Sequence, residues 1–298
     1  MTYEHNPKFK HPREVLPHGK EIRYVDGIID ADKTRVVAFR NIPETYPRRV
    51  VDEVEHIETL AQAGAYSIFA HEKGLAPLFG AVERANFERE VLPGEQVKLD
   101  VSILDRDKKR FKGAGVASVA GDIACTSVFS GFVFNELLFE RSILRRDFAD
   151  GGIDMPKYNP NLVRPFSLLR DADLSDWLDY ATASGWTNAD GVWFPADDAY
   201  AGHRFVGQDV LPGIRQLGAL RNLAYYGNQT TGPKSAQPRL KEVRGVSFFS
   251  PVRNGERLDL HVQKDPSDPD IVTYIGVASV GSTITTEATL EFRLREAA

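Results

Sequence analysis

The sequence contains very little cysteine and has no long apolar run. Cys125 is the single cysteine, so an internal disulfide and a zinc cluster built from several cysteines are both excluded. One cysteine suits a reducing compartment, and we expect a cytoplasmic protein. The N-terminus lacks the apolar stretch of a signal peptide, and no window approaches the roughly 20 apolar residues of a spanning helix. We therefore expect no membrane partner.

An excess of charge of one sign is also missing. The net charge is -5, from 37 basic and 42 acidic residues of mixed order. Proteins that bind nucleic acids usually carry a basic face with interleaved aromatic residues, so we expect no nucleic-acid partner. Short basic clusters occur at 48–49, 108–110 and 145–146. We interpret them as solvated surface, with docking of an acidic carrier protein as the alternative.

What the chain does have is an internal repeat. The segment GVASV at 115–119 recurs at 276–280, 92–101 resembles 253–262, and 58–66 resembles 218–226. Three matches in the same order, at offsets of 161, 161 and 160, predict two homologous units of about 150 residues. We assign them to 1–150 and 151–298, with the joint near 148–165, where Gly, Pro and Asp gather.

Each unit is predicted to contain one helix followed by a meander of strands. Apolar residues at three-and-four spacing predict a helix over 50–69, buried on one side, and its counterpart lies over 213–227. Segments rich in Val, Phe and Ile predict antiparallel strands at 79–89, 95–105, 110–120 and 123–134, and again at 239–250, 256–263, 271–281 and 283–294. We expect an α+β fold in which a twisted sheet wraps a central helix and the two units pair edge to edge.

Glu58 is out of place in this pattern. Helical spacing puts it in line with Val54, Ala61 and Ala65, on an apolar stripe where a carboxylate does not belong. Burial raises the pKa of a carboxyl group, which makes it a candidate general acid. A position at the edge of the stripe, or hydrogen bonds from backbone donors, would explain Glu58 equally well without a function.

A second candidate is the segment AYAGHRFVGQDVLPGIRQLGAL at 199–220. His203 follows a tight Ala-Gly turn, and Pro212-Gly213 opens a helix. Unpaired N–H groups at a helix start can hold a thioester carbonyl oxygen that gains negative charge, and Gly213 has no side chain to block its approach. Histidine is the residue type that accepts a proton at physiological pH. A loop histidine taken alone is more often solvated and without a role.

These segments together resemble the bacterial β-hydroxyacyl-acyl-carrier-protein dehydratases, whose pattern is GHFPGxPxMPGVxxxEALAQ followed by FxxPVxPGDxLxLxV. The second unit carries the front of the pattern as GHRFVGQDVLPGI, and the first unit carries the back as ETLAQAGA. Both units keep the later strand motif, as ANFEREVLPGEQVKLDV and VSFFSPVRNGERLDLHV. The opening, VLPHGKEIRYVDGIIDADKTRVVAFRNI, resembles the family's start.

The departures from the family pattern are complementary. The first unit lacks the histidine, because ETYPRR stands at that place and offers only Glu44 or Thr45. The second unit lacks the acid and the glutamine, because it has Gly218 and Asn222 at those positions. The resemblance implies a hotdog fold, whose homodimers share each active site between protomers. A tandem double hotdog therefore keeps one composite site, His203 with Glu58, and loses the other. Val206 for proline and one extra residue before Pro212 also depart from the pattern.

The resemblance implies dehydration of a β-hydroxyacyl thioester to the 2,3-enoyl thioester, without cofactor or metal. His203 would remove the C2 proton, Glu58 would protonate the leaving hydroxyl, Gly213 N–H would bind the enolate-like oxygen, and Gln62 would orient the carboxyl group. The expected partner is a thioester of acyl carrier protein or coenzyme A. An enoyl isomerase and a non-catalytic acyl-binding double hotdog are the alternatives, and thioester hydrolysis is disfavoured. Beyond the internal pseudo-dimer, further self-association is left open.

Overall fold

The computed structural model describes residues 2–19, 22–72, 74–135, 187–193, 195, 204–205, 208–231, 238–265 and 271–294. The three helices of this part are α1 (Pro12–Val15), α2 (Glu53–His71) and α3 (Gly213–Thr231). The strands up to the middle of the chain are β1 (Gly27–Ala31), β2 (Arg35–Asn41), β3 (Leu75–Phe87), β4 (Gln96–Arg106), β5 (Arg110–Val119), β6 (Asp122–Asn135) and β7 (Thr187–Trp193). The later strands are β8 (Arg204–Phe205), β9 (Gln208–Leu211), β10 (Pro238–Phe248), β11 (Val252–Arg253), β12 (Leu258–Asp265), β13 (Ile271–Val280) and β14 (Thr283–Leu294).

One continuous antiparallel sheet of 11 strands carries the fold, in the order β1-β2-β4-β5-β6-β3-β10-β14-β13-β12-β7. Strands β2, β4, β5, β6 and β3 on one side have their counterparts in β7, β12, β13, β14 and β10 on the other, in the same connectivity. Strands β3 and β10 join the halves, with Ala85 opposite Val243 and Val82 opposite Val246. This is a double hotdog, and the expected edge-to-edge pairing is confirmed.

The repeat of the sequence is also a repeat of strand register. Gly115 pairs with Val101 on one side and Ser127 on the other. Gly276 pairs with Val262 and Ala288, each 161 positions later. Both glycines allow a helix to approach the sheet: a Cβ on Gly115 would lie 2.9 Å from Leu60 Cδ2, and one on Gly276 would lie 3.3 Å from Leu220 Cδ2. The recurring GVASV segment is therefore one place where each helix packs closely against its own sheet.

Helix α2 is more enclosed than its apolar stripe indicates. Residues 56–68 are all buried, including polar positions, so the prediction of a helix buried on one side is wrong. The first-half sheet surrounds α2, and α3 contacts it from the second half. Asp52 caps the N-terminus of α2, because its carboxylate accepts a hydrogen bond from Val54 N at 3.2 Å.

The predicted helices and meander strands match the observed elements to within two residues at each end, with three exceptions. The predicted start of α2 lies three residues from the observed one, and the predicted start of β3 and end of α3 each lie four residues away. Strands β1, β2 and β7 and the short strands β8, β9 and β11 were not predicted. The proposed boundary between 150 and 151, and the joint at 148–165, lie outside the described residues. No described helix combines the length and apolar character needed to cross a membrane.

Candidate active site

Glu58 lies on α2 with its side chain buried. Its Oε1 accepts a hydrogen bond from Gln62 Nε2 at 3.0 Å, one helical turn later. Burial raises the pKa of the Glu58 carboxyl above its ordinary value, while the Gln62 hydrogen bond and the positive charge of Arg215 act in the opposite direction. A carboxyl group with a raised pKa holds its proton closer to neutral pH, which is the property a general acid requires.

Gln62 is itself held by the segment that leads into β1. Its Nε2 also donates to Ile22 O at 2.8 Å, and its Oε1 accepts from Tyr24 N at 2.9 Å. These bonds leave the amide little freedom to turn, so its contact with Glu58 Oε1 is fixed. The structure thus brings the predicted pair Glu58 and Gln62 together, and the orienting role of Gln62 remains a prediction.

His18 is a neighbour of Glu58 that the residue patterns did not single out. Its Nε2 lies 3.7 Å from Glu58 Oε1, and its side chain is 14% exposed. The available signal was the opening segment VLPHG, which contains His18 and belongs to the stretch that resembles the start of the dehydratase family. His18 and Glu58 are 40 positions apart, and only the folded chain places them side by side.

The start of α3 reaches the same region from the second half of the chain. Gly213 begins the helix, and Arg215 N donates to Pro212 O at 2.9 Å. A Cβ on Gly213 would lie 2.6 Å from the ring of Phe248, so no side chain fits there without moving that ring. The charge of Arg215 acts on both Glu58 and Tyr24. The carboxyl group of the first half therefore lies within electrostatic reach of the helix start of the second.

His203, the predicted base, lies outside the described residues, as does Val206. The next residue, Arg204, begins β8, which pairs with β9 through Arg204 opposite Asp209 and Phe205 opposite Gln208. Strand β9 ends at Leu211, directly before Pro212 and the start of α3. The described strands that follow position 203 thus lead into the start of α3.

The second, pseudo-symmetric location has different contents. Thr45 is exposed in the segment between β2 and α2. Gly218 lies on α3, where an added Cβ would make an ordinary contact with Val54 Cγ2 at 3.6 Å. The N-terminus of α2, which corresponds to that of α3, is occupied by the side chain of Arg221, bound to Asp52 and Glu53.

Two other features of the described residues lie apart from this site. Cys125 is buried, and burial raises the pKa of its thiol, which disfavours the reactive thiolate. A groove of about 550 Å³ on the outer face of the first-half sheet is lined by residues such as Lys98, Asp100 and Thr126, and Glu58 does not take part in it. Within the described ranges, no cluster of three or more His, Cys, Asp or Glu side chains is arranged to hold a metal ion.

Known proteins similar to this chain fall into two groups. No protein-family model matches it. A 3-hydroxyacyl-[acyl-carrier-protein] dehydratase FabZ of Clostridium perfringens is 32% identical over 124 residues, which cover 38% of this chain and 89% of the relative. The dehydratase FabZ of Exiguobacterium sibiricum is 31% identical over 126 residues, covering 39% of this chain and 90% of the relative. Each of these two relatives thus aligns with less than half of this chain.

Several solved structures match the chain over most of its length but share little sequence. A Lactobacillus plantarum protein assigned as an oleoyl thioesterase has a TM-score of 0.61 at 13% identity, covering 88% of this chain and 96% of that one. A 12:0-ACP thioesterase from Umbellularia californica has a TM-score of 0.57 at 9% identity, covering 88% and 94%. At such identities the likeness concerns the fold, and it agrees with two hotdog units in one chain.

Proposed function

We infer that this chain, which belongs to the FabZ family of 3-hydroxyacyl-[acyl-carrier-protein] dehydratases, removes water from a 3-hydroxyacyl thioester. The observation that carries the proposal is the buried Glu58 carboxyl group, whose pKa is raised by burial and whose Oε1 accepts a hydrogen bond from Gln62. A buried carboxyl group requires a reason, and general acid catalysis on the leaving hydroxyl supplies one.

In the proposed reaction Glu58 is the acid. Since Gln62 Nε2 donates to Oε1, that oxygen acts as an acceptor, and the proton belongs on Oε2. Oε2 then donates its proton to the C3 hydroxyl group, which leaves as water. Transfer of a proton by a positioned side chain contributes about 10² to 10⁴ in rate.

His203 and Gly213 complete the mechanism from the second half of the chain. His203 removes the C2 proton, and the electron pair that it releases forms the C2–C3 double bond as water departs. The backbone N–H of Gly213, at the positive end of α3, binds the thioester oxygen while it carries negative charge. The absence of a side chain at Gly213 leaves this N–H accessible to the thioester.

The two halves differ at one position in a way that favours a single site. Ala61 and Arg221 correspond at the offset of 160, and each lies three residues after the acid position, Glu58 or Gly218. Arg221 extends to the N-terminus of α2 and binds Asp52 there. By the pseudo-symmetry, the small side chain of Ala61 leaves the N-terminus of α3 open, so a thioester binds on the Glu58 side.

The carrier proposed for the substrate is acyl carrier protein, since the relatives' names specify it; coenzyme A is the alternative. Fatty acid biosynthesis is the pathway class that such relatives favour, and polyketide biosynthesis uses the same chemistry. Migration of the double bond by the same acid and base would make the chain an enoyl isomerase, and a non-catalytic acyl-binding role would require neither group.

Thioester hydrolysis is the alternative function, because the solved structures that match most of the chain are named as thioesterases. A direct test offers the purified chain crotonyl-acyl carrier protein and 3-hydroxybutyryl-acyl carrier protein. Interconversion of the two, followed by the absorbance of the conjugated enoyl thioester, is the expected result. Release of free thiol without that interconversion would overturn the dehydratase assignment in favour of a thioesterase.

Two substitutions test the residues. His203→Ala and Glu58→Gln are each expected to lower turnover at least about a hundredfold, the lower end of an acid–base contribution, with the thermal transition retained. Glu83→Gln is the matched control, because Glu83 pairs with Lys112 at 2.8 Å away from the site. Wild-type turnover in folded Glu58→Gln or His203→Ala would remove that residue from the mechanism.

A further inference from the structure

Arg215 is a positively charged side chain of the candidate site that the proposed proton transfers do not use. Its charge acts on Glu58 and lowers the pKa of that carboxyl group, whereas burial raises it. A general acid must hold its proton, so Arg215 works against the role assigned to its neighbour. The presence of a cation beside this acid therefore requires another explanation, and the binding of an anion supplies one.

Arg215 also lacks a partner within the described part of the protein. Its Nε atom is buried without a hydrogen bond, and none of the described carboxylates forms an ion pair with its guanidinium. A buried donor of a charged group that stays unpaired is costly. The planar fork of N–H donors matches the two oxygens of a carboxylate, so a carboxylate is the ligand that suits this group best.

The corresponding residue of the first half has partners of its own. At the offset of 160, Arg215 corresponds to Glu55 of α2. Glu55 Oε2 accepts a hydrogen bond from Arg40 Nη2 at 2.7 Å, and Glu55 Oε1 accepts one from Tyr46 OH at 3.1 Å. The charge at this helix position is thus neutralised in the first half and left without a partner in the second, which supplies the start of α3 to the candidate site.

A second donor without a partner lies in the same region. Tyr24 is 8% exposed, and Arg40 lies over its ring at 4.3 Å from the centroid. The backbone N–H of Tyr24 donates to Gln62, but its hydroxyl group makes no hydrogen bond to a described residue. Burial raises the pKa of Tyr24, on which Arg215 and Glu58 also act, so the phenol stays protonated and can donate. Arg215 and the Tyr24 hydroxyl group together form a polar subsite next to Glu58.

The geometry points to a substrate whose acyl chain carries a carboxylate, bound by Arg215 and the Tyr24 hydroxyl group, an inference that rests on the proposed dehydration. Glu58 acts at C3, and the thioester oxygen binds Gly213 N–H on the same helix as Arg215. Arg215 lies within electrostatic reach of Glu58 without forming an ion pair with it. The carboxylate therefore belongs a short way beyond C3, at C5 or C6. Its negative charge offsets the positive charge that otherwise opposes the acid.

Two enoyl thioesters that differ in charge test the proposal. Glutaconyl-acyl carrier protein carries a carboxylate at C5, and its methyl ester is of similar shape but neutral. We expect wild type to hydrate the acid with a kcat/KM at least about tenfold above that for the ester, the order expected for hydrogen bonds between charged groups. Arg215→Met should bring this ratio close to one, and Tyr24→Phe should lower it about threefold or more. Arg35→Met is the control, because Arg35 is exposed and already pairs with Asp100.

Binding of saturated analogues measures recognition apart from turnover. Glutaryl-pantetheine has the carboxylate but no double bond, and it lacks the phosphate of the carrier's prosthetic arm, the other anion that an arginine could bind. Calorimetry should give a Kd at least about tenfold lower for this compound than for its methyl ester, and equal values for the two in Arg215→Met. Arg215→Lys keeps the charge but not the planar fork, so it should retain part of the difference.

Three outcomes would overturn the carboxylate subsite. One is equal kcat/KM for acid and ester in wild type, and another is an unchanged ratio in both folded Arg215 variants. The third is a loss in Arg215→Met that affects acid and ester alike on acyl carrier protein but is absent with pantetheine thioesters, which would assign Arg215 to the phosphate. The proposed dehydration fails on a different result, namely no hydration of crotonyl-acyl carrier protein while the binding difference between glutaryl-pantetheine and its ester persists.

Discussion

Arg221 of the second half of the chain binds Asp52 of the first half through two hydrogen bonds, Nη1–Oδ1 at 2.9 Å and Nη2–Oδ2 at 2.7 Å. Arg221 Nη1 also donates to Glu53 Oε2 at 2.8 Å, and the Arg221 side chain is 5% exposed. Burial alone would raise the pKa of Asp52, but the adjacent guanidinium lowers it below its ordinary value. The residues that fill the second location thus also fix α2, and with it Glu58, against α3.

We expect Arg221→Met to lower the free energy of unfolding by about 3–5 kcal/mol, because it removes the buried guanidinium from two largely enclosed carboxylates, Asp52 and Glu53. Asp52 then keeps only the exposed Arg48 as a cation partner. Arg48→Ala is the control: Arg48 binds the same Asp52 at 2.6 Å, but its side chain is 56% exposed. An exposed pair contributes about 0–1 kcal/mol. Urea denaturation of the three proteins measures the difference. Equal losses for both variants would show that burial does not decide the strength of this contact.

The two glycines of α3 allow a matched test of the proposed thioester site. Gly213→Ala places a methyl group 2.6 Å from the Phe248 ring, on the residue that carries the proposed N–H donor. We expect kcat/KM with crotonyl-acyl carrier protein to fall more than about tenfold, since loss of one such donor typically costs about 10² to 10³ in rate. Gly218→Ala, whose Cβ would have ordinary contact with Val54 at 3.6 Å, should keep activity. A larger loss in Gly218→Ala would contradict the assignment of the active side.

The pH dependence of kcat/KM should contain an alkaline limb due to Glu58. The acid works only while protonated, so activity falls as pH rises through its pKa, which burial raises. Arg215 favours the ionised form, so Arg215→Met should raise the pKa further and move the limb to higher pH, whereas Arg215→Lys should move it much less. Movement to lower pH in Arg215→Met would contradict the general-acid role.

Stability should depend on pH for the same reason. Because the folded pKa of Glu58 lies above the unfolded value of about 4.3, the folded state binds more protons between the two. The contribution of Glu58 to the free energy of unfolding therefore declines as pH rises through this window and is constant above it. Glu58→Gln lacks this decline. As pH rises through the window, the free energy of unfolding of the variant relative to wild type should therefore increase by about 1.4 kcal/mol per unit of pKa shift.

Thermal melting of Glu58→Gln and wild type across pH 4 to 9 checks this expectation, in a range set by the ordinary pKa of glutamate near 4.3. Glu83→Gln again serves as control, because Glu83 lies in an ion pair with Lys112 and its side chain is 26% exposed. A stability difference between Glu58→Gln and wild type that stays flat with pH would mean that Glu58 is ionised at the same pH in both states.

The sequence by itself determined the architecture and half of the candidate site. Repeated segments and periodicity are local signals, so they predicted the two units, the helices α2 and α3, and the meander strands. The same periodicity predicted Glu58 on the apolar face of α2, and the structure confirms that it is buried. The patterns did not predict strands β1, β2 and β7 because their segments do not alternate apolar and polar residues. In the fold β1 pairs with β2, β2 also pairs with β4, and β7 pairs with β12.

Only the tertiary structure decided what surrounds the carboxyl group. His18 meets Glu58 across 40 positions, and Arg221 meets Asp52 across 169 positions. No spacing rule relates such pairs, because each depends on how a sheet wraps its helix and how β3 joins β10. Arg221 fills the start of α2, whereas the corresponding residue of the first half is the small Ala61. The hydrophobic pattern fixed where the helices run, and contacts between distant charged groups decided which of the two pseudo-equivalent locations is closed.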